Sequence, residues 1–247
     1  MATVSACTDI RWLIVLATGR SGSTTVTDML NALPAVSVHG EMSGTVGLSI
    51  DMLDAARTGR EVKAGPWHSS NVSRQALNCQ LEQWFATLCR PDWREKRGEY
   101  TGFKDLFSGL SRRSYQPHPS TVWMPFLERV FPSARFVLNT RDDTAAQSSS
   151  GFWRKPTTKG WQAQRLPSNV TAQELLDDAT SELREWGHRL GPNRSFWLPL
   201  SPTGFTVEQF NGLARWLGVP CTFLSVAHAN SNNTYRSEHT SPIISCR

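Results

Sequence analysis

The sequence predicts an α/β protein built on a parallel, doubly wound sheet flanked by helices, and three observations carry that prediction. Residues 12–17, Trp-Leu-Ile-Val-Leu-Ala, are a continuous apolar run of the kind found in a central strand covered on both faces. A Gly/Ser/Thr loop over 18–25 follows at once and opens a helical pattern that sets Met29, Leu30 and Leu33 on one face. Beyond it, strand-like runs alternate with amphipathic helices, the order from which parallel sheets are assembled. At 247 residues the chain suits one such domain, spanning 1–247.

The later elements follow in order. From Glu41 to Asn71 periodicity is weak and glycines are frequent, which predicts an irregular flap with one short helix near 50–57. Ser73 to Leu88 regains helical spacing through Leu77, Leu81, Trp84, Phe85 and Leu88, and Pro91 stops it. A short strand is expected over Tyr100–Phe103, a helix over Ser120–Val130 despite Pro125, and a strand over Arg135–Thr140. Residues 154–168 hold four basic side chains and no acidic one, as a mobile basic loop or a merely solvated one would. Thr171-x-x-Glu174 reads as a capping box for a helix burying Leu175, Leu176, Ala179, Leu183 and Trp186. Ser195–Leu200 is a last strand, and Thr206 to Gln209 caps a final helix that Gly218 and Pro220 end. The polar tail, 231–247, is expected to be loosely held.

The first loop points to anion binding. Its backbone N–H groups, the hydroxyls of Ser21, Ser23, Thr24 and Thr25, and the Arg20 guanidinium all gather at the positive end of a helix. A nucleotide triphosphatase loop would place four residues between its glycines and a Lys after the second. Here Gly19 and Gly22 are closer together and Ser23 follows. The loop is equipped for phosphate but lacks the lysine that grips a terminal phosphoryl group.

Arg20-Ser-Gly-Ser-Thr24 after a strand resembles the 5′-phosphosulfate loop of sulfotransferases that use 3′-phosphoadenosine 5′-phosphosulfate, and three further matches follow in the family's order. Glu41, after Asn31-Ala-Leu-Pro34 and within His39-Gly-Glu41, resembles the catalytic glutamate of the tyrosylprotein and carbohydrate-type members. Lys104-Asp105 resembles the catalytic Lys-Asp step. Ala134-Arg-Phe-Val-Leu-Asn-Thr-Arg141, with Ser149 eight residues on, resembles the Arg and Ser pair that holds the 3′-phosphate. The matches cover roughly the first 150 residues.

The resemblance implies a P-loop-like sulfotransferase fold and transfer of a sulfuryl group to a hydroxyl or amine of a small molecule or glycan by in-line displacement. The donor would be 3′-phosphoadenosine 5′-phosphosulfate and the product 3′-phosphoadenosine 5′-phosphate, with no metal required. Glu41 is then the base, with His39 as its rival because an imidazole titrates near neutral pH, and Lys104 acts on the bridging oxygen. Gly19, Arg20, Ser21, Gly22, Ser23, Thr24 and Thr25 would hold the 5′ side. Arg141 would hold the 3′-phosphate with Ser149, chosen by spacing, or Ser150, chosen by the Ser-Gly-aromatic-aromatic ending. Trp153 is a candidate for stacking on adenine, although most of the ten tryptophans must be packing residues. Flaps 42–72 and 151–168 would build the acceptor pocket. An acidic residue after the last strand and a basic Gly-rich segment near the end, both common in relatives, are not found.

Composition narrows the setting. The formal net charge is +5, with 26 Lys and Arg against 21 Asp and Glu, which suits a polyanionic nucleotide, and no basic run indicates nucleic acid. The opening apolar run is too short for a signal peptide or membrane span. Five scattered cysteines without a C-x-x-C pair predict reduced thiols and no zinc site, and with them a cytoplasmic location, unless a membrane anchor has been removed. Four glycosylation acceptors, at Asn71, Asn169, Asn193 and Asn232, matter only in a secreted protein. Two rivals stand: a P-loop-type phosphotransferase, for which Asp142-Asp143 is the carboxylate pair that follows a strand, and a nucleotide-binding module without catalysis.

Overall fold

A computed structural model describes residues 7–42, 45–58, 74–89, 100–107, 120–150, 171–227 and 240–246. The order is β1 (Arg11–Ala17), α1 (Ser23–Asn31), β2 (Val36–Glu41), α2 (Thr45–Thr58), α3 (Arg74–Cys89), β3 (Tyr100–Leu106), α4 (Ser120–Val130), β4 (Arg135–Arg141), α5 (Thr144–Ser148), α6 (Ala172–Leu190), β5 (Ser195–Leu200), α7 (Val207–Leu217), β6 (Cys221–Phe223) and β7 (Ile244–Cys246). Five strands form one sheet in the order β2-β3-β1-β4-β5, with every pairing parallel. β1 is central, and from Trp12 to Ala17 it is wholly buried, as its unbroken apolar run requires.

Each face of the sheet has its own core. On one, Trp12, Ile14 and Leu16 pack with Phe103 and Phe136 against α2, α3, α4 and α6. On the other, Leu13, Val15 and Val137 meet Val26, Met29 and Leu30 of α1 and Phe210, Leu213 and Leu217 of α7. Aromatic edges knit the first core, with Trp12 on Phe131 at 4.7 Å and Phe136 on Trp186 at 4.5 Å between ring centroids. Pro125 removes one internal hydrogen bond from α4, yet the helix persists because Trp123, Phe126 and Leu127 are buried. Thr171 and Thr206 both make the capping boxes their spacing predicts.

Several expectations are corrected. β2 is a strand that the sequence reading did not anticipate, its signal limited to Val36 and Val38 on one face. The region read as irregular holds a 14-residue helix, α2, because burial of Val46 and Ile50 outweighs the helix cost of Gly47. β3 runs on past Phe103 to Leu106, which puts Lys104 and Asp105 inside the strand. The end of the tail is held, since Ile244–Cys246 pairs with β6.

The thiols are not all reduced. Cys7 joins Cys79 and Cys221 joins Cys246, leaving Cys89 free and buried. Partners 72 and 25 residues apart carry no local signal, because only the fold brings them together. The Cys7 link is reinforced by buried Glu82, which accepts from the Cys7 N–H, the Thr8 hydroxyl and the Trp12 indole N–H. Among the described residues no helix is long and apolar enough to cross a membrane. The basic loop 154–168, Trp153 and the flap beyond 58 up to 73 lie outside the described residues.

Candidate active site

β1 sends its helix to one face of the sheet, while the helices after its neighbours β3 and β4 pack on the other. The connections therefore part at the carboxyl end of β1, which is where open α/β sheets receive ligands. The loop Thr18–Gly22 lies there. Arg20 holds φ 68° and Gly22 φ 80°, and this alternation of left-handed residues curls backbone N–H groups toward a common point. At Gly22 a Cβ would also come within 2.7 Å of the Phe205 ring, so only glycine fits.

α1 opens without a capping side chain and without an acidic residue in its first turn. Elsewhere the chain does cap: Asp143, Thr171 and Thr206 each accept a first-turn N–H. The N–H groups left open at α1 point at the loop, and an anion would satisfy them. Ser21 does not join them, because its hydroxyl donates to Asn139 Oδ1 at 2.6 Å and its N–H to the Thr18 carbonyl at 3.2 Å. Ser21 shapes the loop from behind, together with buried Asn139 and Gln147, whose side-chain amides both reach the loop.

Across β2 and β3, Glu41 and Lys104 meet in an ion pair at 3.0 Å. A register irregularity makes this possible: His39 pairs with Phe103, Gly40 is skipped, and Glu41 pairs with Lys104. Successive residues alternate faces, so the skipped glycine brings Glu41 to the Lys104 side and leaves His39 on the Phe103 side. Partial burial lowers the His39 pKa below its ordinary value. The Lys104 side chain is only 10% exposed and that of Glu41 48%, which sets the cation inward and the carboxylate toward solvent.

Asp105 is a third charged group beside this pair. Burial pushes its carboxyl up to about 7; the Leu106 N–H it accepts at 2.8 Å pulls it down, Glu41 adds to the rise and Lys104 opposes it.

At the end of β4, Arg141 has its Nε buried with no hydrogen-bond partner among the described residues, and the same holds for the Ser150 hydroxyl. The Ser149 hydroxyl is exposed and donates to the Ala146 carbonyl at 2.9 Å. An unpaired buried guanidinium nitrogen at a strand's carboxyl end is a donor awaiting an acceptor. Of the neighbouring carboxylates, Asp143 is committed to capping α5 through the Ala146 N–H.

A family model for the sulfotransferase family matches residues 13–199. The chain belongs to the sulfotransferase family. The matched region contains the loop, Glu41, Lys104, Arg141 and all five strands of the sheet except the first two residues of β1 and the last residue of β5. No curated protein matches the chain. Among solved structures, the sulfotransferase domain of a Synechococcus olefin synthase is similar at 16% identity and TM-score 0.45, over 85% of this chain and 74% of that one. Sulfotransferase STF1 from Mycobacterium tuberculosis is similar at 14% and TM-score 0.37, over 87% and 68%. An unliganded sugar kinase from Janibacter is similar at 14% and TM-score 0.41, over 85% and 95%.

In this sulfotransferase the sequence reading had passed over Asn139 and Gln147. Asn139 had a signal, as an amide inside the apolar run Phe-Val-Leu-Asn-Thr-Arg. Gln147 had none, being one polar residue among the serines after β4.

Proposed function

We propose that this sulfotransferase moves a sulfuryl group from 3′-phosphoadenosine 5′-phosphosulfate to a hydroxyl or amine of a small molecule or glycan. The observation that carries the reading is the pairing of Glu41 with Lys104, on a strand that neighbours β1, whose following helix opens without a side-chain cap. The residues present fit such a donor. The open α1 N–H groups, with Gly19, Arg20, Gly22, Ser23, Thr24 and Thr25, would receive the 5′ phosphosulfate, and Ser21 would hold the loop in shape. Buried Arg141 Nε would take the 3′-phosphate. Its hydroxyl partner is Ser149 by spacing, while the unpartnered Ser150 hydroxyl supports Ser150.

The donor supplies a sulfuryl group on a phosphate leaving group. Glu41, half exposed at the end of β2, accepts the acceptor's proton, and Lys104, mostly buried, presents its ammonium where negative charge grows on the bridging oxygen. His39 is the weaker base candidate because the strand register puts it on the opposite side from Lys104. The sulfuryl group carries less charge than a phosphoryl, so this chemistry asks for no metal, and Asp143 is already engaged as a cap. Two disulfides favour an oxidising compartment over the cytoplasm that the cysteine spacing suggested.

The test is nucleotide binding by calorimetry with EDTA present. Adenosine 3′,5′-bisphosphate should bind more tightly than ATP or adenosine 5′-phosphate. Preference for ATP that appears only with magnesium would move the protein to the phosphotransferase reading.

A further inference from the structure

Two fully buried amides stand between the Arg141 end of the site and the loop after β1. Asn139 accepts the Ser21 hydroxyl at 2.6 Å and donates to the Ser21 carbonyl at 3.2 Å and the Leu198 carbonyl at 2.9 Å. Its own backbone carbonyl accepts from the Thr18 N–H at 3.0 Å. Gln147 reaches the same loop from α5. Its Nε2 donates to the Thr18 hydroxyl at 3.0 Å and to the Gly19 carbonyl, while its Oε1 is buried without a partner among the described residues.

The Gly19 carbonyl and the Arg20 N–H belong to one planar peptide group. Whatever holds that oxygen also sets the direction of the Arg20 N–H, at a residue whose φ of 68° already departs from the common range. Gln147 sits on a five-residue helix, α5, whose C-cap is Ser149 and which begins after Asp142 and Asp143, the two residues that follow Arg141. The short helix is thus tied at one end to the 3′-phosphate candidates and, through one amide, to a peptide of the loop that would receive the 5′ anion. A buried acceptor left unpaired is costly, so Gln147 holds this position at the expense of its own oxygen.

We propose that Gln147 is a positioning residue that couples the two ends of the nucleotide clamp. A 3′-phosphate held at Arg141 steadies α5, Gln147 thereby fixes the Gly19–Arg20 peptide, and the 5′ anion binds more tightly. The proposal rests on the donor-nucleotide reading above. A glutamine that served packing alone would leave the two phosphates independent.

The experiment is a ligand cycle by calorimetry with adenosine, adenosine 3′-phosphate, adenosine 5′-phosphate and adenosine 3′,5′-bisphosphate. In the unmodified protein the 5′-phosphate should strengthen binding at least about fivefold more when the 3′-phosphate is present, the low end of ordinary coupling between sites. In Gln147→Leu the two phosphates should contribute independently, and Thr18→Val, which removes only the hydroxyl end of the link, should fall between. A lower melting temperature for Gln147→Leu with the cycle unchanged would show a structural role and overturn the proposal. Independent contributions in the unmodified protein overturn it without recourse to any variant. If the bisphosphate fails to bind, the donor-nucleotide reading falls and the coupling with it; if it binds with independent contributions, the coupling alone falls.

Discussion

Asp105→Asn should stabilise the protein, and by an amount that depends on pH. The Asp105 carboxyl is carried into the interior beside Lys104, and burial, the largest influence, raises its pKa from 3.8 to about 7. At about 1.4 kcal/mol per pH unit, the ionised carboxyl costs the native state about 4 kcal/mol relative to the unfolded chain. Because the folded value is the higher one, the native state is favoured most below about 3.8, loses stability as pH rises toward about 7, and changes little above that. Asparagine keeps an acceptor for the Leu106 N–H at nearly the same volume but does not titrate. Urea unfolding of both proteins should therefore show the variant's advantage growing between pH 5 and 7 by about 1.4 kcal/mol per pH unit and levelling above pH 8. A difference that stays constant from pH 5 to 8.5 would refute the argument that burial controls this carboxyl.

Glu41→Gln should lower turnover by about 10²–10⁴-fold with nucleotide affinity unchanged, the scale of losing a positioned base; normal turnover there, with His39→Ala inactive, would give the role to His39. Arg141→Ala should weaken adenosine 3′,5′-bisphosphate roughly ten- to hundredfold and adenosine 5′-phosphate little, and equal losses would remove Arg141 from the 3′ site. In the same titration Ser149→Ala and Ser150→Ala decide which hydroxyl is its partner. Alkylation of denatured, unreduced protein should label Cys89 alone, and label it only after unfolding, since burial pushes that thiol up to about 12; labelling of all five cysteines would refute both disulfides.

What the sequence shows and what it hides divides along physical lines. β1, α6 and α7 announce themselves because their signals are local: an unbroken apolar run in one, a capping box followed by periodic apolar residues in the others. β2 and the full length of α2 do not, because tertiary burial of Val36, Val38, Val46 and Ile50 decides them. The candidate site follows the same rule. Its loop and its Lys-Asp step are readable as runs, whereas the meeting of Glu41 with Lys104 depends on one residue skipped at Gly40, and no pattern along the chain encodes that register. The disulfides and the grip of Gln147 on the loop join positions far apart in the chain, and they become visible only when the sheet is assembled.

The most direct test of the central claim is transfer of labelled sulfate from 3′-phosphoadenosine 5′-phosphosulfate in EDTA, across phenols, sugars, amines and guanidinium compounds, with Lys104→Ala and Lys104→Arg alongside. The account predicts a sulfated product formed in step with adenosine 3′,5′-bisphosphate. It also predicts loss of at least about a hundredfold in rate for Lys104→Ala, with acceptor affinity little changed, because the ammonium acts mainly in the transition state. Lys104→Arg should recover little of that rate, since a planar guanidinium does not replace a compact ammonium at one oxygen. Normal transfer by Lys104→Ala, or activity restored to it by magnesium, would contradict the account.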